Sequence, residues 1–330
     1  GLQREAAANR SLYETFLARF KETSAQQDLP QPDARLLSGA DIPSEASFPK
    51  TRMFLAVALA AGILIGLALI ALIEHLDNGF RSMEEVEQLM GVSALGLVPA
   101  LTGSPSTRKA PHDFILEKPI SAFGESIRAI HAGLLLSNVD APPRTVLITS
   151  ALPEEGKTSV SLSLTRLVSR MGGKKTVLID CDLRRPSVHG RLGLSQTPGV
   201  VEYLAGEASL DEVLQLDEPS GARVIAAGRS SVNPMDLLAS EQFKALLRKL
   251  NESFDIVILD SSPVMAVSDS RILARLVDKT IFVVRWSETR REVAMMGLKQ
   301  IIETGASVAG VVLSIVNVKK HAAYGYGDSG

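Results

Sequence analysis

The sequence predicts an α/β domain with a mostly parallel sheet covered by helices on both faces, preceded by a transmembrane helix and a short N-terminal helix. Three observations predict it. In the second half, near-continuous apolar, β-branched runs alternate with helical stretches, the pattern of strands buried on both faces. One of those strands runs into a tight loop ending Gly156-Lys157-Thr158, and a helix follows. An internal stretch, Met53 to Ile73, is 21 residues long and carries no charge.

The elements follow in chain order. Residues 2–22 are rich in helix formers, and Leu12, Phe16 and Phe20 recur every four residues between charges. That pattern fits the end of a long helix or coiled-coil stalk as well as an ordinary amphipathic helix. Because the chain starts at Gly1 in what reads as mid-element, a longer parent protein is expected. Residues 24–50, rich in Pro, Ser, Asp and Gln, read as an extended connector. The apolar helix that follows is long enough at about 1.5 Å per residue to cross a hydrocarbon core of about 30 Å. It carries Gly62 and Gly66 in a G-x-x-x-G spacing that permits close helix packing. Its flanks conflict with its expected orientation. Lys50 and Arg52 precede it and Glu74 and Asp77 follow, which by the positive-inside rule would put the N-terminal side in the cytoplasm. The loop ending Gly156-Lys157-Thr158 has the form of a nucleotide-phosphate cradle and has to meet cytoplasmic ATP, and that requirement outweighs two basic residues.

Residues 101–113 read as a second polar linker. Strands are then expected at Thr145–Thr149, Thr176–Asp180, Asp255–Asp260, Lys279–Arg285 and Ala309–Ile315, with helices at Ser159–Met171, Asp236–Asn251 and Glu292–Thr304 between them. A chain of 330 residues with 45% apolar content can bury a sizeable core, and its net charge of −2 gives no basis for a nucleic-acid partner. The single Cys181 excludes a disulfide within the chain and a cysteine metal site; a buried hydrophobe is expected there.

Three motifs carry chemistry. The run Ser150 to Thr158 has strand, tight loop and helix N-terminus in sequence, so backbone N–H groups and the helix dipole point at phosphates. This is the P-loop of an NTPase, with Ala151 where the first Gly usually stands. Glu154, Glu155, Gly156, Lys157, Thr158 and Ser159 form the expected nucleotide cradle, Lys157 supplying a point charge and the Thr158 hydroxyl a Mg²⁺ ligand. The second run, Val177-Leu178-Ile179-Asp180-Cys181-Asp182, ends a strand in two acids that alternation would place on one side. Beside a Mg-phosphate centre they can divide the work, one accepting a proton and the other holding metal-bound water. The third, Ile256 to Pro263, puts Asp260 at the end of a buried strand, the Walker B arrangement for Mg²⁺.

This ordered trio, ALPEEGKT, VLIDCDLR and ILDSSP, resembles the Walker A, A′ and B set of the bacterial tyrosine kinases. LDNGFRSMEEVEQLMGVSALGLVP is similar to the segment after the last membrane helix of the Wzz-type chain-length-determinant module that precedes such kinases. SAFGESIRAIHAGLLLSN, NPMDLLASEQF and VVRWSETRREV are also similar to family segments. The resemblance implies ATP and Mg²⁺ as cofactors, Lys157 with Asp180 and Asp182 as catalytic residues, and Asp180 as the base that activates a tyrosine. It makes Thr158, Asp182 and Asp260 the metal set, and Tyr324 and Tyr326 in the Gly-rich tail the autophosphorylation sites. The family's E-x-x-R-x-x-R oligomer stripe reads here as Glu125, Arg128 and His131.

The implied organisation is an extracytoplasmic helical region and connector at 1–50, a membrane helix at 51–75, a juxtamembrane segment and linker at 76–113, a kinase domain at 114–318 and a tail at 319–330. The implied place is the bacterial inner membrane with residues 76–330 cytoplasmic. The implied partners are membrane lipid, further copies of the chain, a polysaccharide export machinery and a tyrosine phosphatase. Two other readings carry less weight. A ParA/MinD-like ATPase would have an early P-loop Lys where Leu152 stands, and a silent scaffold would have lost the acids that are intact here.

Overall fold

The structure is a computed structural model that describes residues 2–26, 39, 48–76, 79–101, 109–230 and 233–322. It divides into two compact units, Gly1–Ile70 and Ala71–Gly330.

The described residues of the first unit are mostly helical. Helix α1 spans Leu2–Gln26, longer than the short helix expected, with Leu12, Phe16 and Phe20 exposed. Helix α2, Thr51–Leu76, contains the apolar segment; its stretch Thr51–Ala71 has a mean hydropathy of 2.8 and none of its most apolar window is buried. In a soluble protein such a surface would be covered by other elements; here it has the length and composition of a membrane span.

The second unit begins with α3 (Met83–Met90), β1 (Ala94–Pro99), α4 (Pro111–Glu117) and α5 (Ala122–Leu136). The P-loop strand β2 (Thr145–Ser150) follows, then α6 (Lys157–Arg170), β3 (Thr176–Asp180) and three short helices, α7 (Val188–Leu192), α8 (Val200–Leu204) and α9 (Leu210–Val213). Next come β4 (Gln215–Asp217), β5 (Ala222–Ile225), α10 (Pro234–Ala239), α11 (Glu241–Ser253), β6 (Ile256–Asp260) and α12 (Asp269–Ala274). The unit closes with β7 (Lys279–Arg285), α13 (Arg291–Ile302), β8 (Val308–Val316) and α14 (Val318–His321). The sheet runs β1-β8-β7-β2-β6-β3-β5-β4, parallel except for the β4–β5 edge pair.

The five expected strands are β2, β3, β6, β7 and β8, and every residue of β2, β3 and β6 is buried. Two hydrophobic clusters sit on opposite faces of the sheet, one led by Leu147, Ile179 and Phe282, the other by Ile148, Leu178 and Ile281. Successive side chains of one strand alternate between them, as period-two geometry requires. The expected helix at 236–251 is two helices, because Ser240 accepts the Phe243 N–H and caps the second.

The segment 76–113 differs from the expected juxtamembrane linker. Phe80 and Val86 are fully buried, β1 pairs with β8, and α4 packs on α6, so the second unit takes in chain well before residue 114. Helix α6 is fixed by Arg166, whose guanidinium donates two bonds of 2.8 Å to Asp217 and others to Asp113 and the His112 carbonyl. A buried guanidinium persists only when its donors are satisfied in this way.

Candidate nucleotide site

The site forms where β2, β3 and β6 end side by side. The P-loop leaves β2 at Ser150 and enters α6 at Gly156, whose φ of +88° suits glycine. A Cβ there would also sit 3.3 Å from Ser314 Oγ on β8. Glu154 adopts φ +63° without being glycine, a strained conformation that has to be held by its surroundings. No side chain caps α6, so its first-turn N–H groups are open to an anion.

Lys157 Nζ lies 3.3 Å from Asp182 Oδ2 and 3.4 Å from Thr158 Oγ1. Thr158 Oγ1 donates to Asp260 Oδ2 at 2.7 Å, and Ser161 Oγ donates to Asp260 Oδ1 at 2.8 Å. Asp180 is the register partner of Asp260 across β3 and β6. Its Oδ1 accepts the Asp182 N–H, and its Oδ2 accepts the N–H groups of Ser187 and Val188, all at 3.1 Å. A cavity of about 580 Å³ opens over these groups, lined among others by Lys157, Thr158, Asp182, Arg185 and Arg191. A second cavity of about 380 Å³ shares Glu154, Gly156 and Arg191 with it and reaches Ser159, Ser314 and Ile315.

Burial and the neighbouring charges of Asp260 and Asp182 raise the Asp180 carboxyl to about 7, against the opposing pull of backbone N–H groups. Burial also raises Asp260, offset by the Lys157 charge and by the Thr158 and Ser161 hydroxyls. Oxygen donors of this kind suit Mg²⁺, which takes one or two protein groups and keeps several waters. Among the described residues, no three His, Cys, Asp or Glu side chains converge as a metal cage.

The structure thus brings Lys157, Thr158, Asp180, Asp182 and Asp260 together. Asp180 has no exposed surface and spends both oxygens on backbone N–H groups, whereas Asp182 is 6% exposed and faces the cavity. Of the two acids, Asp182 is therefore the one that lines the cavity. Glu155 turns away from the cavity: Oε2 accepts the Leu152 N–H at 2.6 Å, and Oε1 accepts the Thr289 hydroxyl. Its side chain shapes the loop, and only its backbone remains for a phosphate. His131 is 6% exposed and does not continue the stripe of Glu125 and Arg128, which pair with each other on the α5 surface. The reason is helical geometry, since residue 131 follows Ile127 by four and precedes Leu134 by three, both on the buried face. Burial and the charge of Lys174 lower its pKa and favour the neutral ring. Tyr324 and Tyr326 lie outside the described residues.

Sequence reasoning passed over Ser161, Arg191, Thr289 and Ser314. Ser161 was within reach of it, standing one helical turn after Lys157 on the same face. Arg191, whose Nη1 donates to Ser159 Oγ at 3.1 Å, comes from another helix and had no local signal.

The AAA domain family model matches residues 154–314. The succinoglycan biosynthesis transport protein ExoP of Rhizobium meliloti is 29% identical over 98% of this chain and 44% of its own length. A putative tyrosine-protein kinase in the cps region of Klebsiella pneumoniae is 28% identical over 98% of this chain and 46% of its own. This chain therefore spans less than half the length of these curated relatives. Among solved structures, the kinase domain of VpsO is 36% identical, with a TM-score of 0.53, covering 60% of this chain and all of that one. The kinase domain of the Escherichia coli tyrosine kinase ETK is 27% identical, with a TM-score of 0.67, over 72% and 95%.

Proposed function

This chain belongs to the bacterial tyrosine kinase family, and we propose that it transfers the γ-phosphoryl group of ATP to tyrosine hydroxyls as the membrane-anchored kinase of a polysaccharide export system. The observation that carries the reading is the meeting of Lys157, Thr158 and Asp182 at one cavity over the P-loop, with the buried Asp260 bonded to Thr158 behind it.

The triphosphate lies over the α6 N-terminus, where backbone N–H groups and the helix dipole receive it. Lys157 then moves its ammonium from Asp182 to the phosphates, which releases Asp182 Oδ2. Thr158 and Asp260 are the residues that would hold Mg²⁺, which when bound would neutralise charge on the phosphate oxygens, and this leaves Asp182, placed in that set by the sequence motif, free to act as a base. The tyrosine oxygen attacks the γ-phosphorus, a new O–P bond forms, the bond from the γ-phosphorus to the bridging oxygen breaks, and ADP leaves. Asp182 accepts the phenolic proton, while Asp180 behind it orients the loop that carries Asp182. Arg185 and Arg191 at the cavity mouth add positive potential where the transferred charge develops.

Around this core stand readings that rest on family likeness. The acceptors are Tyr324 and Tyr326 on a neighbouring copy of the chain. Glu125 and Arg128 on the α5 surface contribute to the contact between copies. The apolar helix anchors the chain in the inner membrane with residues 76–330 in the cytoplasm and 1–50 outside. The export machinery and a phosphatase are the other partners, and nucleic acid is not one.

The test uses the full-length protein in membranes with labelled ATP and Mg²⁺. Wild type is expected to accumulate phosphotyrosine, and Lys157→Met to lose it. Labelling that persists in Lys157→Met, or hydrolysis with no labelled protein, overturns the kinase reading.

A further inference from the structure

The five residues that join β7 to α13 touch two parts of the molecule that are far apart in sequence. On one side they hold the stretch that follows the apolar helix. Ser287 N–H donates to the Phe80 carbonyl at 2.8 Å, and Trp286 Nε1 donates to the Arg81 carbonyl at 2.9 Å. Gly79 bridges Arg290, and a Cβ on Gly79 would lie 2.5 Å from the Ser287 carbonyl carbon, so the approach is backbone against backbone. Arg291 at the start of α13 pairs with Glu85 at 3.0 Å, and the same carboxylate oxygen accepts the Arg81 N–H. Phe80 is buried completely between these contacts.

On its other side the same loop reaches the P-loop. Thr289 is 4% exposed and donates its hydroxyl to Glu155 Oε1. The other oxygen of that carboxylate accepts the Leu152 N–H, and the Glu155 carbonyl accepts the Ser314 hydroxyl. Glu155 is thus the strut between Leu152 and Gly156, next to the strained Glu154. A strained loop keeps its shape only when its neighbours over-determine it, and Thr289 supplies one of these determinants.

We propose that Thr289 is a positioning residue of the nucleotide site, acting through Glu155, and that its loop couples docking of the 79–85 segment to the shape of the P-loop. This rests on the reading of the cavity as a nucleotide site. Removing the Thr289 hydroxyl leaves Glu155 Oε1 buried without that donor, and the carboxylate relaxes away from Leu152 N–H. Undocking 79–85 shifts Ser287 and Thr289 together and reaches the P-loop by the same route. Coupling of this kind is reciprocal, so bound nucleotide also tightens the docking.

The experiment measures Mg-ADP affinity of the full chain in lipid nanodiscs with a fluorescent ADP analogue, together with the melting temperature without nucleotide. Thr289→Val is expected to bind on the order of tenfold more weakly, the loss that follows from taking one hydroxyl donor from a buried carboxylate. Thr289→Ser keeps the donor and restores wild-type affinity. Glu85→Gln, far from the phosphates, weakens binding by several-fold, as does Gly79→Val if it folds. Wild-type affinity in Thr289→Val overturns the proposal, as does a Thr289→Ser variant as weak as Thr289→Val. Wild-type affinity in Glu85→Gln together with wild-type affinity in a folded Gly79→Val also overturns it. Phosphotyrosine is read in parallel: tight ADP binding by wild type with no phosphotyrosine defeats the kinase reading and leaves this coupling standing.

Discussion

Strands β3 and β6 lie side by side and end in carboxylates at the same level, yet Asp180 and Asp260 have different partners. Asp260 is met by hydroxyls of α6, Thr158 and Ser161, and so is tied to the helix that begins at the P-loop. Asp180 is met by backbone N–H groups of the loop that follows it, at Asp182, Ser187 and Val188. Both are fully buried, so burial alone does not set them apart. The difference shows how one sheet edge serves two tasks: Asp260 is wired to the phosphate end of the cavity, and Asp180 to the loop that presents Asp182 and Arg185.

The largest break in that comparison comes from Asp182, the acid that Asp180 presents. Asp182→Asn is expected to slow phosphotransfer by about 10²- to 10⁴-fold, the usual range for a lost proton acceptor. Nucleotide affinity should change much less, because Lys157 and the P-loop backbone remain. Asp260→Asn should show the opposite balance, with Mg-dependent affinity falling first. Equal losses of affinity in both variants, measured by nucleotide titration beside single-turnover phosphorylation, would erase the division.

Asp180 gives a pH signature that Asp260 can be compared with. Its folded pKa of about 7 stands above the ordinary carboxyl value of 3.8, so between these values the folded state holds a proton that the unfolded state has lost. Stability from this group therefore falls as pH rises through that window and is lowest above about 7. Asp180→Asn removes the titration. Relative to wild type, the nucleotide-free variant should gain stability on the order of a few kcal/mol between pH 4 and pH 8. Denaturant unfolding of both proteins at several pH values checks this, and a difference that stays flat would place the Asp180 carboxyl near its ordinary range.

The parts of this site that were legible in the sequence are local. Gly156-Lys157-Thr158, Asp180-x-Asp182 and Asp260 each lie in one contiguous run whose strand or helix context is written in the neighbouring residues. The α/β class was legible for the same reason, since β2, β3 and β6 are uninterrupted apolar runs. Strand β1 was not, because ALGLVP holds Gly and Pro and becomes a strand only by pairing with β8 near the other end of the chain. The strand β4 has three residues and one clear apolar side chain, too little for any periodicity. Thr289 offered no signal, as its meaning depends on a carboxylate 134 positions away. The motif resemblance gives Asp180 the proton, whereas burial and backbone bonds are properties of the folded loop, and they put Asp182 rather than Asp180 on the cavity lining.

The smallest expected effect tests the hydroxyl side of the comparison. Ser161 is fully buried and donates to Asp260 Oδ1 at 2.8 Å, while Thr158 serves Oδ2. Ser161→Ala removes one of these two donors and changes little in volume, so the cost is that of a buried carboxylate oxygen losing a partner, about 1–3 kcal/mol. With one hydroxyl fewer to offset burial, Asp260 takes up a proton more readily. At neutral pH the variant should therefore melt lower than wild type, and Mg²⁺ with nucleotide should recover part of the loss by engaging the same carboxylate. Thermal unfolding with and without Mg-ADP measures both terms. A full-sized loss that Mg-ADP leaves untouched would mean that Ser161 supports α6 alone, and that Asp260 is held to the P-loop through Thr158.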